Sequence, residues 1–266
     1  MVSLSIFFLF NNYLIFWKGW PGLWNFFAHH EMFGISPLRK PLDSNDLTLG
    51  WVQCFALVSM LSIISLFVFK TPKRTLIEDA DILRRFAAYL TRASFWAVLL
   101  VGVVDITISF LRVEGFLNSM LGNSVAIELG RAVFRGTYVH YPLIIISFVI
   151  AFFVRGLGFT WLALLVVIAE FQIVISRFVY SYEQAFMGDL VRLWYAGLFL
   201  FSSSYALITE GHVRVDLFYS KFKTKTKALS NAIGCVLLGL PLCWVILLTG
   251  MWVRGSSLNG PLLVFE

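Results

Sequence analysis

From Leu47 to Phe69 the chain carries no charged side chain, and comparable apolar stretches recur along its length. An α-helix needs about 20 such residues to cross the roughly 30 Å hydrocarbon layer of a bilayer. Backbone groups in lipid must be satisfied internally, which leaves helices or a closed barrel. The apolar stretches here are near-continuous rather than alternating, so helices are the reading. Composition extends that conclusion to the whole chain. Charged residues make up 14% and hydrophobic ones 59%, against about 25% charge in an ordinary soluble domain. A water-soluble globule of this composition would expose a great deal of apolar surface. The sequence predicts an all-α membrane protein, a bundle of about six transmembrane helices plus interfacial amphipathic helices.

Leu4 to Trp17 is short for a span and contains Asn11 and Asn12. An interfacial or tilted helix is preferred there, with a true first span as the alternative. Residues 18–46 form a polar connector with Pro21, Pro37 and Pro41. The expected crossings are Leu47–Phe69, Ala93–Leu111, Tyr138–Val154, Trp161–Val179, Trp194–Leu207 and Leu229–Val253. Between them, Glu78 to Arg85 reads as a charged connecting helix and residues 112–137 as mixed and amphipathic. A hairpin through Arg155, Gly156 and Gly158 and a polar helical connector over residues 180–192 complete the chain.

Lys and Arg gather in the connectors at 70–92, at Arg155 and at 212–227, which places those loops in the cytoplasm under the positive-inside rule. The net charge of +6 is accounted for by such orientation anchors, and nucleic acid is not expected as a partner. Cys54, Cys235 and Cys243 lie inside apolar spans and read as packing residues, not as a disulfide framework. No Cys/His spacing suits zinc. Bis-histidine haem needs two imidazoles at one membrane depth, whereas His140 and His212 fall near opposite faces, so neither metal nor cofactor is expected.

The most specific stretch follows the Trp194–Leu207 span. Gly211 suits a helix end, and His212 and Arg214 fall where positive charge meets the negative end of the helix dipole. The ordered residues Tyr205, Ala206, Gly211, His212, Val213, Arg214, Val215, Asp216, Tyr219 and Ser220 resemble the signature of DctQ-type small permease subunits of TRAP (tripartite ATP-independent periplasmic) transporters. Arg177-Phe178, Asp189-Leu190, Trp194-Tyr195 and the turn Ser257-Leu258-Asn259-Gly260-Pro261 match weaker features of that family in the same order. The resemblance runs from near Trp161 to about Pro261. It divides the chain into an N-terminal extension with additional membrane helices, 1–155, and a small-permease core, 156–266. The family carries one more membrane helix after that turn, so a last helix is expected to be missing or supplied elsewhere.

The resemblance implies a non-catalytic scaffold in a sodium-driven secondary transporter that imports organic acids or related solutes. A large TRAP permease subunit and a periplasmic substrate-binding protein are its implied partners. The prokaryotic cell inner membrane, in which this chain is multi-pass, is its implied location. A membrane-anchor subunit of an oxidoreductase complex is the alternative.

His212, Arg214 and Asp216 alternate, so in an extended segment they share one face. With Tyr219, Arg177 and Asp189 they are the candidate partner contacts; helix capping and membrane anchoring is the equal alternative. Asp105 and Glu170 are the carboxylates deepest in apolar spans. Such groups cost about 2.5–3.5 kcal/mol at the bilayer centre and usually face protein or water. Glu170 reads either as a cation or proton site or, preferably, as the partner of a polar group on the large subunit or of Arg177.

Overall fold

The computed structural model describes residues 1–155, 159–182, 184–208 and 219–260. Among these, every regular element is helical. In chain order they are α1 (Val2–Lys18), α2 (Gly22–His29), α3 (Ser44–Lys70), α4 (Leu76–Val113), α5 (Phe116–Leu121) and α6 (Asn123–Gly130). Then come α7 (Ala132–Arg135), α8 (Tyr141–Phe153), α9 (Phe159–Tyr180), α10 (Ala185–Ile208), α11 (Thr224–Gly234) and α12 (Leu240–Met251). Among the described residues six stretches are long and apolar enough to cross a bilayer. They are α3, α4, α7 through α8, α9, α10, and α11 through α12, and they agree with the expected crossings.

Two boundaries differ from the sequence reading. Glu78 to Arg85 is not a separate connecting helix, because α4 is continuous over 38 residues. At 1.5 Å per residue that is about 57 Å, nearly twice the hydrocarbon thickness. A capping box starts it: Glu78 N–H donates to Thr75 Oγ1 and Thr75 N–H to Glu78 Oε2. No Gly or Pro interrupts residues 76–101, so nothing breaks the helix between its charged start and its apolar end. Likewise, Asp189 and Arg192 of the expected polar connector lie in the opening turns of α10, which is continuous with the span.

α7 joins α8, and α11 joins α12, through five-residue π-turns, Gly136–His140 and Cys235–Gly239. Pro142 and Pro241 stand at the second position of the helices that follow. A proline inside a helix has no N–H to donate, and its ring collides with the carbonyl four residues back. Widening the preceding turn by one residue moves that carbonyl aside, so the span continues with a local π-bulge instead of breaking.

The chain packs as two units, each considered by itself. The first takes Met1–Arg74 and Asp216–Phe265. Here Asn11 and Asn12, which interrupt the first apolar stretch, are its fasteners. Gln53 of α3 donates from Nε2 to Asn11 Oδ1 at 2.7 Å and accepts from the Gly22 N–H at 3.1 Å. Asn12 Nδ2 donates to the Met251 carbonyl at the end of α12. Asn12 and Gln53 are both buried, so α1 is docked on α3 and α12 by amides that lipid could not satisfy. Gly50 lets α2 approach α3: a Cβ there would meet the Phe26 ring at 2.3 Å. Asn259 Nδ2 donates to the Met251 and Val253 carbonyls, at 2.7 and 3.3 Å, capping the end of α12. The turn residues that resemble the family's small-residue turn thus satisfy carbonyls the helix would leave orphaned.

The second unit takes Thr75–Val215. Its core is Phe95, Leu165, Ala169 and Trp194, where α4, α9 and α10 meet. Gly102 makes the approach possible, since a Cβ there would lie 2.6 Å from Trp194 Nε1. α8 covers another side of α4, tied by Tyr89 OH donating to the Phe148 carbonyl at 3.0 Å.

Candidate functional site

Asp105 lies on α4 within a membrane span, where a lone carboxylate is costly. The structure supplies its partners from the neighbouring span. His140 Nε2 donates to Asp105 Oδ1 at 2.9 Å, and Arg135 Nη1 stands 3.7 Å from the same oxygen. Arg135 and His140 are five residues apart, which on an α-helix would turn them about 140° from each other. The π-turn between them narrows that angle and lets both face α4. The histidine is buried and the other two side chains are mostly covered. The guanidinium of Arg135 offsets the Asp105 carboxylate, the imidazole adds a hydrogen bond to it, and together they tie the α7–α8 span to α4. Neither partner was named from the sequence, although Pro142, placed inside the apolar run, was the signal for a widened turn.

At the end of α4 a second polar group joins its C-cap to the loop ahead of α10. Glu114 Oε1 accepts from Tyr182 OH and, at 2.6 Å, from Gln184 Nε2. The bond to Glu114 holds the Tyr182 phenol above its ordinary pKa, with lesser upward contributions from burial and from the Glu114 charge; Gln184 acts in the opposite direction. The reason is physical: the carboxylate can accept from a phenol but repels a phenolate.

Glu170 is placed differently. It sits midway along α9, exposed, and makes no hydrogen bond or ion pair with any described residue. Arg177 follows two turns later on the same face, also exposed, but does not reach it. Of the alternatives for Glu170, the pair with Arg177 does not form within the chain: about 10 Å of helix rise separates the two backbones.

The other candidate contacts are scattered. Asp189 lies exposed in the opening turns of α10, with Arg192 Nη1 3.4 Å away; this i,i+3 pair is too exposed to contribute much. Tyr219 OH accepts from Asn231 Nδ2 at 2.8 Å, and Lys227 Nζ stands 5.2 Å above its ring. That cation–π contact and hydrogen bond fix the basic segment against the start of α11. His212, Arg214 and Asp216 lie outside the described residues, as do Gly156, Gly158, Gly211 and Pro261. Of the weaker family-like residues, Trp194 is a core anchor while its neighbour Tyr195 is exposed.

Residues 163–262 match the family model described as Tripartite ATP-independent periplasmic transporters, DctQ component. No curated protein and no solved structure matches the chain. The matched region begins within α9 and ends just after the Asn259 cap of α12. From α9 to the turn after α12 the chain is thus similar to the DctQ component of TRAP transporters, and the match leaves the helices ahead of α9 uncovered.

Proposed function

We propose that this chain is the small membrane subunit of a sodium-driven TRAP transporter and that it braces a large permease subunit. In this reading that large subunit carries the solute, an organic acid or a related anion delivered by a periplasmic substrate-binding protein. The complex sits in the inner membrane of a prokaryote. Residues 156–266 are the small-permease core and residues 1–155 an added helical extension. The single observation that carries the reading is the family match over residues 163–262. His212, Arg214, Asp216, Tyr219, Arg177 and Asp189 are the proposed contacts to partner subunits. Tyr219, held by Asn231 and Lys227, offers a fixed point for the strip that precedes it.

The test is purification of the tagged chain in mild detergent from cells that express the neighbouring reading frames. A large, many-helix membrane polypeptide should accompany it, and vesicles holding both should take up solute only when sodium and the binding protein are supplied. Solute uptake by the purified chain alone, or a stoichiometric Soret band in its spectrum, would sink the proposal. A well-folded monomer that brings down no companion would do the same.

A further inference from the structure

α9 presents two opposite faces. Leu165, Ala169, Gln172 and Ser176 follow one another at helical spacing on the side that packs into the second unit. On the far side Leu164, Val167, Phe171, Val174 and Phe178 are spaced three, four, three and four residues apart, the a and d positions of a heptad. All five are exposed; Phe171 is 63% accessible and Phe178 89%. An exposed apolar stripe alone would be satisfied by lipid. Glu170 and Arg177 flank the stripe one heptad apart, at the positions that in a coiled coil select the partner.

Depth decides what can meet Glu170. It lies 11 residues from Phe159 and 10 from Tyr180, which puts it about 15 Å from either end of the helix. That is the midplane of a roughly 30 Å hydrocarbon layer. Lipid headgroups are out of reach of so short a side chain. A carboxyl group at this depth normally faces protein or water and has a named partner.

The geometry points to this face of α9 as the seam for a transmembrane helix of the companion membrane subunit, one that carries a hydrogen-bond donor, cationic or neutral, opposite Glu170. The heptad spacing specifies a left-handed crossing of about 20°. This inference rests on the proposed function, which supplies the companion; it adds which face is used and what chemistry the opposing helix presents.

Photo-crosslinking in native membranes tests it, using the full chain expressed with its companion. Benzoylphenylalanine replaces Phe171 or Val174 on the seam, and Ile145 or Val149 on the exposed side of α8 as the control. The seam positions should crosslink to the companion, and the crosslinked peptide should be a membrane helix with a donor side chain one turn or less away. The α8 positions should yield little of that product. In parallel, Glu170→Lys should cut the companion recovered with the tagged chain by about tenfold, which corresponds to roughly 1.4 kcal/mol. Glu170→Gln keeps a hydrogen-bonding group and should stay within about twofold, roughly 0.4 kcal/mol. Crosslinks only to lipid, to a second copy or within the same chain overturn the seam, as does recovery unchanged by Glu170→Lys. If unaltered protein recovers the companion and the seam positions stay silent, the seam alone is wrong. If unaltered protein recovers no companion, the proposed function falls and the seam with it.

Discussion

His140 reaches Asp105 across the contact between α8 and α4, its Nε2 2.9 Å from the carboxylate oxygen, and it does so from the last residue of a π-turn. Pro142, two residues on, makes that turn necessary, so a local backbone requirement and an intramembrane ion pair share one cause. The cluster holds one carboxylate and one fixed cation, and removing either leaves the other uncompensated.

Asp105→Ala should therefore destabilise the protein by roughly 2–3 kcal/mol, somewhat less than the 3–5 of a fully buried pair, because Asp105 and Arg135 keep partial exposure. The double variant Asp105→Leu with Arg135→Leu removes both charges and should recover most of that loss. Thermal unfolding in detergent, followed by intrinsic tryptophan fluorescence, reads the difference. A double variant no more stable than Asp105→Ala would mean that the pair is not the source of the effect.

Gln53 supports two partners at once, the Asn11 side chain and the Gly22 backbone N–H. Gln53→Leu leaves both unsatisfied, whereas Asn12→Ala still leaves the Met251 carbonyl its bond from Asn259. Interhelical hydrogen bonds in membranes average about 0.6 kcal/mol and reach about 1.7. Gln53→Leu should fall near the upper figure and Asn12→Ala near the lower. Equal losses in thermal unfolding would contradict the assignment of Gln53 as the shared fastener.

The six spans were legible because bilayer length and charge-free runs set them directly: Leu47 to Phe69 could be little else. The helix limits were less so. Glu78 to Arg85 looks like a loop helix because it is charged, yet helix continuity depends on the absence of Gly and Pro, not on polarity. Partnerships between spans were not legible. Asp105 stands out as a polar residue in an apolar run, but choosing Arg135 and His140 as its partners requires knowing that Pro142 rotates them onto one face. Asn11 and Asn12 were visible as interruptions of the first stretch, and only the packing of α3 and α12 turns them into fasteners. The family-like strip from Gly211 to Asp216 was the clearest motif in the sequence, and it lies outside the described residues.

Gly102 and Trp194 supply a steric test of the unit to which α9 and α10 belong. A Cβ at position 102 would lie 2.6 Å from the indole Nε1 and 2.7 Å from Cζ2, and the buried ring is hemmed in by Phe95 and Leu165. Gly102→Ala should cost about 1–3 kcal/mol as an overpacking change. Trp194→Phe makes room for the methyl group, so the two changes should be less than additive in a double-mutant cycle. Strict additivity would place the strain elsewhere.

Tyr182 gives a pH signature outside the spans. Its pKa is raised above the ordinary 10.0, chiefly because its hydroxyl donates to Glu114. The folded state therefore holds this proton more tightly than the unfolded state does. By linkage the contribution is fully present below the unfolded value of about 10 and fades as pH rises through the higher folded value. Comparing the unaltered protein with Tyr182→Phe, the stability difference should stay constant from pH 7 to about pH 9 and shrink as the solution becomes more alkaline. The absorbance of tyrosinate should show one phenol fewer titrating late in the variant. Because Tyr182 is exposed at the surface, the effect is a shift in the shape of the pH curve rather than a large loss, and salt should weaken it. A difference that instead grew above pH 10 would mean that the phenolate is the favoured form in the folded protein, and the Glu114 bond would then have to be abandoned.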